Sequence, residues 1–182
     1  MQKKKQQKLQ HLVLICSFAF LASFSIILGK YLALNFGESI RISFENLPIL
    51  FAGFFFGPVA GASVAVTADI VGCFLVGYAI NPIITLGACS IGFISGILGK
   101  KALFKPKLNI LFLVFLSHLI GSVIIKTCGL VIYFSMPLIP TLIWRIITYL
   151  PIAFCESILL ILLRKNKGLT NQLEKITGKK IQ

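Results

Sequence analysis

Apolar residues run in long unbroken stretches along this chain, separated by short polar or turn-forming breaks. This is neither the alternation of a half-buried strand nor the one-sided stripe of a surface helix. A helix crossing ~30 Å of hydrocarbon needs about 20 apolar residues. The pattern predicts spans at Leu12–Leu34, Asn46–Phe56, Val59–Val76, Pro82–Leu98, Ile110–Phe134 and Ile139–Leu163. The second is about half the usual length. Ser43 and Asn46 are placed to cap its start and Pro48 falls in its first turn, where a missing N–H costs nothing. Gly57-Pro58 ends it and opens the next helix.

Charge placement chooses between one long crossing over residues 46–78 and a hairpin. Of eighteen Lys and Arg, fourteen fall in three clusters: Lys3, Lys4, Lys5 and Lys8; Lys100, Lys101, Lys105 and Lys107; and six from Arg164 to Lys180. Each cluster flanks an apolar run, as cytoplasmic anchors do. A single crossing at 46–78 would place the middle cluster outside, whereas a turn at Gly57-Pro58 keeps all three inside. The expected fold is therefore all-α, an integral membrane six-helix bundle forming a single transmembrane domain over 1–182, with both termini cytoplasmic. The location is the cell (plasma) membrane, multi-pass.

Composition agrees, since 57% hydrophobic and 13% charged residues leave too little polar surface for a soluble domain of this size. The net charge of +13 would suggest nucleic acid in a soluble protein, but its segregation beside apolar runs makes the lipid bilayer the partner and no nucleic acid. The first apolar run, from His11 to Leu34, is too long for a signal-peptide core and reads as an uncleaved span. Five cysteines lie inside apolar segments without a C-x-x-C pair, so they read as reduced packing residues, with no metal. Small residues at helical spacing mark close helix approaches: Gly53 and Gly57; Gly61, Ala65, Ala68 and Gly72; Gly92 and Gly96.

Ionisable residues within spans are the informative ones, because each costs at least ~2.5–3.5 kcal/mol to insert and must face inward with a partner. Lys30, Arg41, Lys126 and Arg145 gather toward the outer half, with Asp69 near mid-depth. Arg145 and Glu156 share a face of the last span, and His118, Ser122 and Lys126 form a polar edge on the fifth. Two readings compete. One is an outward-facing cavity with a cationic mouth and a deeper acid, suited to an anionic ligand that carries donors at its far end. The other is a set of internal salt bridges such as Asp69 with Arg145. Lys126 has the further option of snorkelling to the surface. Tyr31, Phe44 and Trp144 adjoin the outer cations and are placed to stack on a flat heterocycle, or to sit in an interfacial belt. No Walker, H-E-x-x-H or G-x-S-x-G motif is present, so no enzyme activity, no cofactor and no ATPase site of its own are expected.

The stretch Arg41-Ile-Ser-Phe-Glu-Asn-Leu-Pro48, followed by Gly53, Phe56-Gly57-Pro58, Gly61, Asp69 and Gly72, resembles the substrate-binding S components of energy-coupling factor (ECF) vitamin transporters, in particular the folate-specific members. Asn81-Pro82, Thr85-Leu86 and Arg145 continue the resemblance, which covers nearly the whole chain. It implies six helices, an outer vitamin site, and assembly with a transmembrane coupling subunit and two ABC-type ATPase subunits. It also implies a small-x-x-x-small docking stripe on the first helix, here Ala19 and Ser23 in place of the commoner alanine pair. Lys30 stands where close relatives carry arginine. Folate fits the chemistry, with Asp69 accepting from the amino group and ring N–H of a pterin and the cations holding the glutamate carboxylates. Riboflavin or thiamin is the alternative within the class. A structural membrane subunit without transport is the alternative outside it.

Overall fold

The computed structural model describes residues 2–36, 40–101 and 104–177, with the backbone alone described at 2–7, 35–36 and 40–41. Helix α1 (Gln2–Ile26) widens into a π-helical turn at Ile27–Tyr31 and leads to a short antiparallel hairpin of β1 (Leu34–Phe36) and β2 (Ile40–Ile42), in which Asn35 pairs with Arg41. The rest is helical: α2 (Asn46–Phe56), α3 (Pro58–Val76), α4 (Pro82–Gly99) and α5 (Pro106–Ser117). A π-helical stretch (His118–Ile125) continues α5 into α6 (Lys126–Phe134), and α7 (Leu138–Lys165) and α8 (Lys167–Thr177) complete the chain.

Proline opens α3, α4 and α5 at the position where no donor is needed. Asn81 caps α4 by accepting from the N–H groups of Ile83 and Ile84 at 3.0 and 3.3 Å, while its own amide donates to Gly129 O at 3.1 Å and so ties α4 to α6. Gly57, at φ 103°, makes the turn between α2 and α3 in a conformation that a side chain would strain. That turn packs beside Lys100, which places it at the same end of the bundle as the basic loop.

Five helical segments are long and apolar enough to cross a membrane: Lys8–Tyr31, Pro58–Val76, Pro82–Gly99, Pro106–Phe134 and Leu138–Lys165. The eleven residues of α2 span about 16 Å and cannot cross by themselves. Polarity is inverted accordingly. Phe20, Val59, Phe74 and Ile139 lie about 70% exposed, as lipid-facing residues do. The tight interior is built from small residues where α2, α3 and α4 meet. A Cβ added at Gly61 would lie 2.7 Å from Gly53 Cα, and one added at Gly53 or Gly61 would overlap Gly92 O. Beyond this seam Leu50, Ile91, Ile110, Leu113 and Leu160 fill the core with no more than 1% exposure. The architecture is an all-α membrane bundle.

Candidate ligand site

Opposite the basic end, α1, α3 and α4 bring together a partly exposed set of polar groups. Lys30 leaves the π-turn that ends α1 and lies across Gly72 of α3; a Cβ there would come within 3.0 Å of Lys30 Cε. This glycine lets the lysine cross the helix and place Nζ 3.8 Å from Cys73 Sγ and 5.4 Å from the centre of the Tyr78 ring. One turn before Cys73, Asp69 is half-buried, and its Oδ2 accepts a 2.6 Å hydrogen bond from Thr85 Oγ1 on α4. Thr85 is the single hydrogen-bond partner that Asp69 has among the described residues. A carboxylate has about four acceptor sites, so Asp69 retains capacity for incoming donors.

Lys126 is placed differently. It does not snorkel to the outer surface: 6% exposed, it lies against Gly87 and donates to Glu45 Oε1 at 2.9 Å. Glu45 is itself packed over Gly29, and its backbone carbonyl accepts from Ser25 Oγ at 2.6 Å. The pair thus joins the segment before α2 to both α1 and α6. Breaking a buried pair costs up to about 3–5 kcal/mol because the surviving charge is stranded. The two truncations should be unequal, since Glu45 retains 21% side-chain exposure and Lys126 only 7%. Glu45→Ala is expected to lower the melting temperature clearly more than Lys126→Met, as differential scanning fluorimetry in detergent would record.

Arg145 and Asp69 do not pair. Arg145 Nε donates to Ser122 O at 2.9 Å, and Nη2 to Tyr149 Oη at 3.4 Å, with the guanidinium 5.0 Å from the centre of that ring. His118 is 2% exposed and faces α7, not the outer cluster. Its Nε2 lies 2.5 Å from Glu156 Oε2 and its Nδ1 3.1 Å from Ser122 Oγ, beside a 250 Å³ apolar cavity bordered by Leu119, Ile146 and Tyr149. Tyr31 and Trp144 are 63% and 43% exposed, and Phe44 is half-buried just before α2. The side chain of Arg41 and all of Glu38 lie outside the described residues. Ala19 and Ser23 share an exposed face of α1, with Ser23 Oγ returned to Ala19 O at 2.9 Å.

Lys30 and Asp69 are therefore brought into one neighbourhood, whereas Lys126, His118 and Arg145 are each engaged by protein partners. Thr85, Cys73, Tyr78 and Glu45 join the polar network without having been singled out as site residues. Two of them carried a signal: Glu45 is an ionisable residue within the Arg41–Pro48 stretch, and Thr85 stands one turn after the capping Asn81 within the Asn81-Pro82-x-x-Thr85 stretch. Among the described residues no three His, Cys, Asp or Glu side chains converge as metal ligands.

Five helical segments of membrane-crossing length and apolarity, with a charged, partly open cluster at one end of the bundle, define a multi-pass membrane protein. The chain belongs to the family described as the 5TMR of 5TMR-LYT, whose model matches residues 1–165. Its structure is similar to the crystal structure of FolT bound with folic acid, with a TM-score of 0.64 over 79% of this chain and 88% of that one, at 21% sequence identity. At that identity the likeness is one of fold. No curated protein matches the sequence.

Proposed function

We propose that this chain is the substrate-binding subunit of an ECF-type importer, capturing folate or a closely related pteridine on the outer side. Asp69 carries the reading: it is a half-buried carboxylate at the membrane's interior, oriented by Thr85 and retaining acceptor capacity. A pterin offers two adjacent donors that such a group receives well. Lys30 and Tyr78 beside it supply a cation and a ring for the flat remainder of the ligand. The likeness in fold to a folic-acid-bound protein supports the same ligand class. Riboflavin or thiamin remains the alternative ligand, although cationic thiamin matches Lys30 poorly. The Lys126–Glu45 and His118–Glu156 pairs favour structural roles for those four residues. The three basic clusters favour an orientation with both termini inside.

The purified chain should carry a pteridine identifiable by mass spectrometry and should be stabilised by added folate. Absence of a thermal shift with folate and with every B vitamin would overturn the transport reading. Energy for release must come from elsewhere, and a transmembrane coupling subunit with two ABC-type ATPases is the proposed source. The exposed Ala19–Ser23 face of α1 is the proposed docking surface. Ala19→Trp is expected to abolish folate uptake in cells that express the full transporter while leaving folate affinity within twofold. Uptake at the unmodified rate would remove that face from the interface.

A further inference from the structure

A groove of 580 Å³ runs along the opposite half of α1, away from the Asp69 cluster. Its walls are Leu12, Phe20 and Phe24 of α1, Pro48 and Phe51 of α2, and Leu173 of α8. Its volume falls within the ~300–1,000 Å³ range of small-molecule sites, but the walls carry almost nothing to recognise a water-soluble compound. The hydroxyl of Ser17, which also borders the groove, is already committed to Val13 O at 2.8 Å. From Leu12 to Phe24 the groove follows α1 for about 18 Å, close to the ~15 Å depth of one hydrocarbon leaflet.

Exposed cations adjoin its lining residues in sequence. Lys8 precedes Leu12 by one helical turn, Lys165 follows the lining Leu163 by two residues, and Lys167 precedes the lining Leu169 by two; all three lysines are exposed. The one acid of α8, Glu174, is already engaged within the protein. We propose that this groove holds one acyl chain of an anionic phospholipid, with Lys8, Lys165 and Lys167 on its phosphate. An amphiphile is the occupant whose chemistry matches both features: hydrocarbon for the apolar walls, and negative charge for the exposed lysines that adjoin the lining residues in sequence. Bound there, the lipid fastens α8 to α1 and α2, all three of which line the groove. The site is independent of the ligand cluster and does not require that the chain bind a vitamin.

Native mass spectrometry on the purified full chain, supplied with equimolar phosphatidylglycerol and phosphatidylcholine of identical acyl chains, tests the assignment. Phosphatidylglycerol should remain as a one-to-one adduct at least tenfold more abundant than phosphatidylcholine. The triple variant Lys8→Gln, Lys165→Gln, Lys167→Gln changes exposed residues only and should erase that preference. Ser17→Phe, which fills the groove, should reduce retention of both lipids. Equal retention of the two lipids by the unmodified chain would overturn the proposal, as would a preference that survives the triple substitution. Phosphatidylglycerol retention unchanged in Ser17→Phe would show that the lipid sits on surface charge alone. Loss of assembly with a coupling subunit in that variant, without lipid retention in the unmodified chain, would assign the groove to a protein helix and overturn the lipid.

Discussion

Replacing Asp69 with Asn is expected to weaken folate binding by at least tenfold in titration calorimetry, with the bundle still folded. The substitution keeps the shape of the side chain and removes the charge. A hydrogen bond to a charged group contributes about 1.5–3 kcal/mol, and the loss here is compounded. An asparagine amide presents two donors of its own toward a ligand edge that is also donating. The fold should tolerate the change for a specific reason. Thr85 Oγ1 lies 2.6 Å from Asp69 Oδ2 and also 3.2 Å from Asn81 O, so the hydroxyl has a second acceptor and is not stranded. Asp69 is half-buried, so the amide reaches solvent or ligand without a desolvation penalty of its own. Unchanged affinity would remove Asp69 from the site. Loss of a monodisperse peak in size exclusion would instead make it a structural residue. Thr85→Val provides the calibration: it removes one orienting hydrogen bond of about 0.5–1.5 kcal/mol and should lower affinity by no more than about tenfold.

The class of fold was legible because membrane insertion writes itself into local sequence. Long apolar runs, three segregated cationic clusters and the Gly57-Pro58 break are each readable within a few residues. The outer hairpin was not legible as strands. Leu34–Phe36 and Ile40–Ile42 are three residues each, too short to show a period, and they pair through a connection that propensity alone does not specify. The site was half legible. Any acid or cation inside a span announces itself by its insertion cost, which is how Lys30, Asp69, Lys126, Arg145 and His118 stood out. Partnership is another matter. Lys126 finds Glu45 at a separation of 81 residues, and His118 finds Glu156 at 38, through helix contacts that no local pattern encodes. The π-helical turns at Ile27–Tyr31 and His118–Ile125 add to this by rotating the residues that follow them. Depth along a helix can be counted, but azimuth cannot be counted across such a turn.

The glycines separate packing from function more sharply than any charge does. Gly92→Ala is expected to be severely damaging for a change of one methyl group. The added Cβ would overlap Gly61 C and O and lie 2.9 Å from Ala62 N, all of them backbone. Backbone atoms of a hydrogen-bonded helix cannot rotate aside, so α3 and α4 must move apart along their contact. Association of helices in lipid rests on close van der Waals packing, and overpacking a core costs about 1–3 kcal/mol even where side chains can yield. Expression as a monodisperse protein should be lost, or the melting temperature lowered by more than about 10 °C. Gly72→Ala adds the same methyl to the small-residue stripe of α3 where it faces α1 and not α4, with a different outcome. Its nearest neighbours are Lys30 Cε at 3.0 Å and Ile26 Cγ1 at 3.4 Å, both on side chains that can shift by a few tenths of an ångström. That variant should fold and melt as the unmodified chain does, but with Lys30 displaced from Cys73 and Tyr78 it should bind folate more weakly. If Gly92→Ala melted normally, the α3–α4 contact would not be the rigid seam that holds Asp69 and Thr85 within hydrogen-bonding distance. If Gly72→Ala bound folate unchanged, Lys30 would be a lipid-edge cation and not part of the ligand cluster.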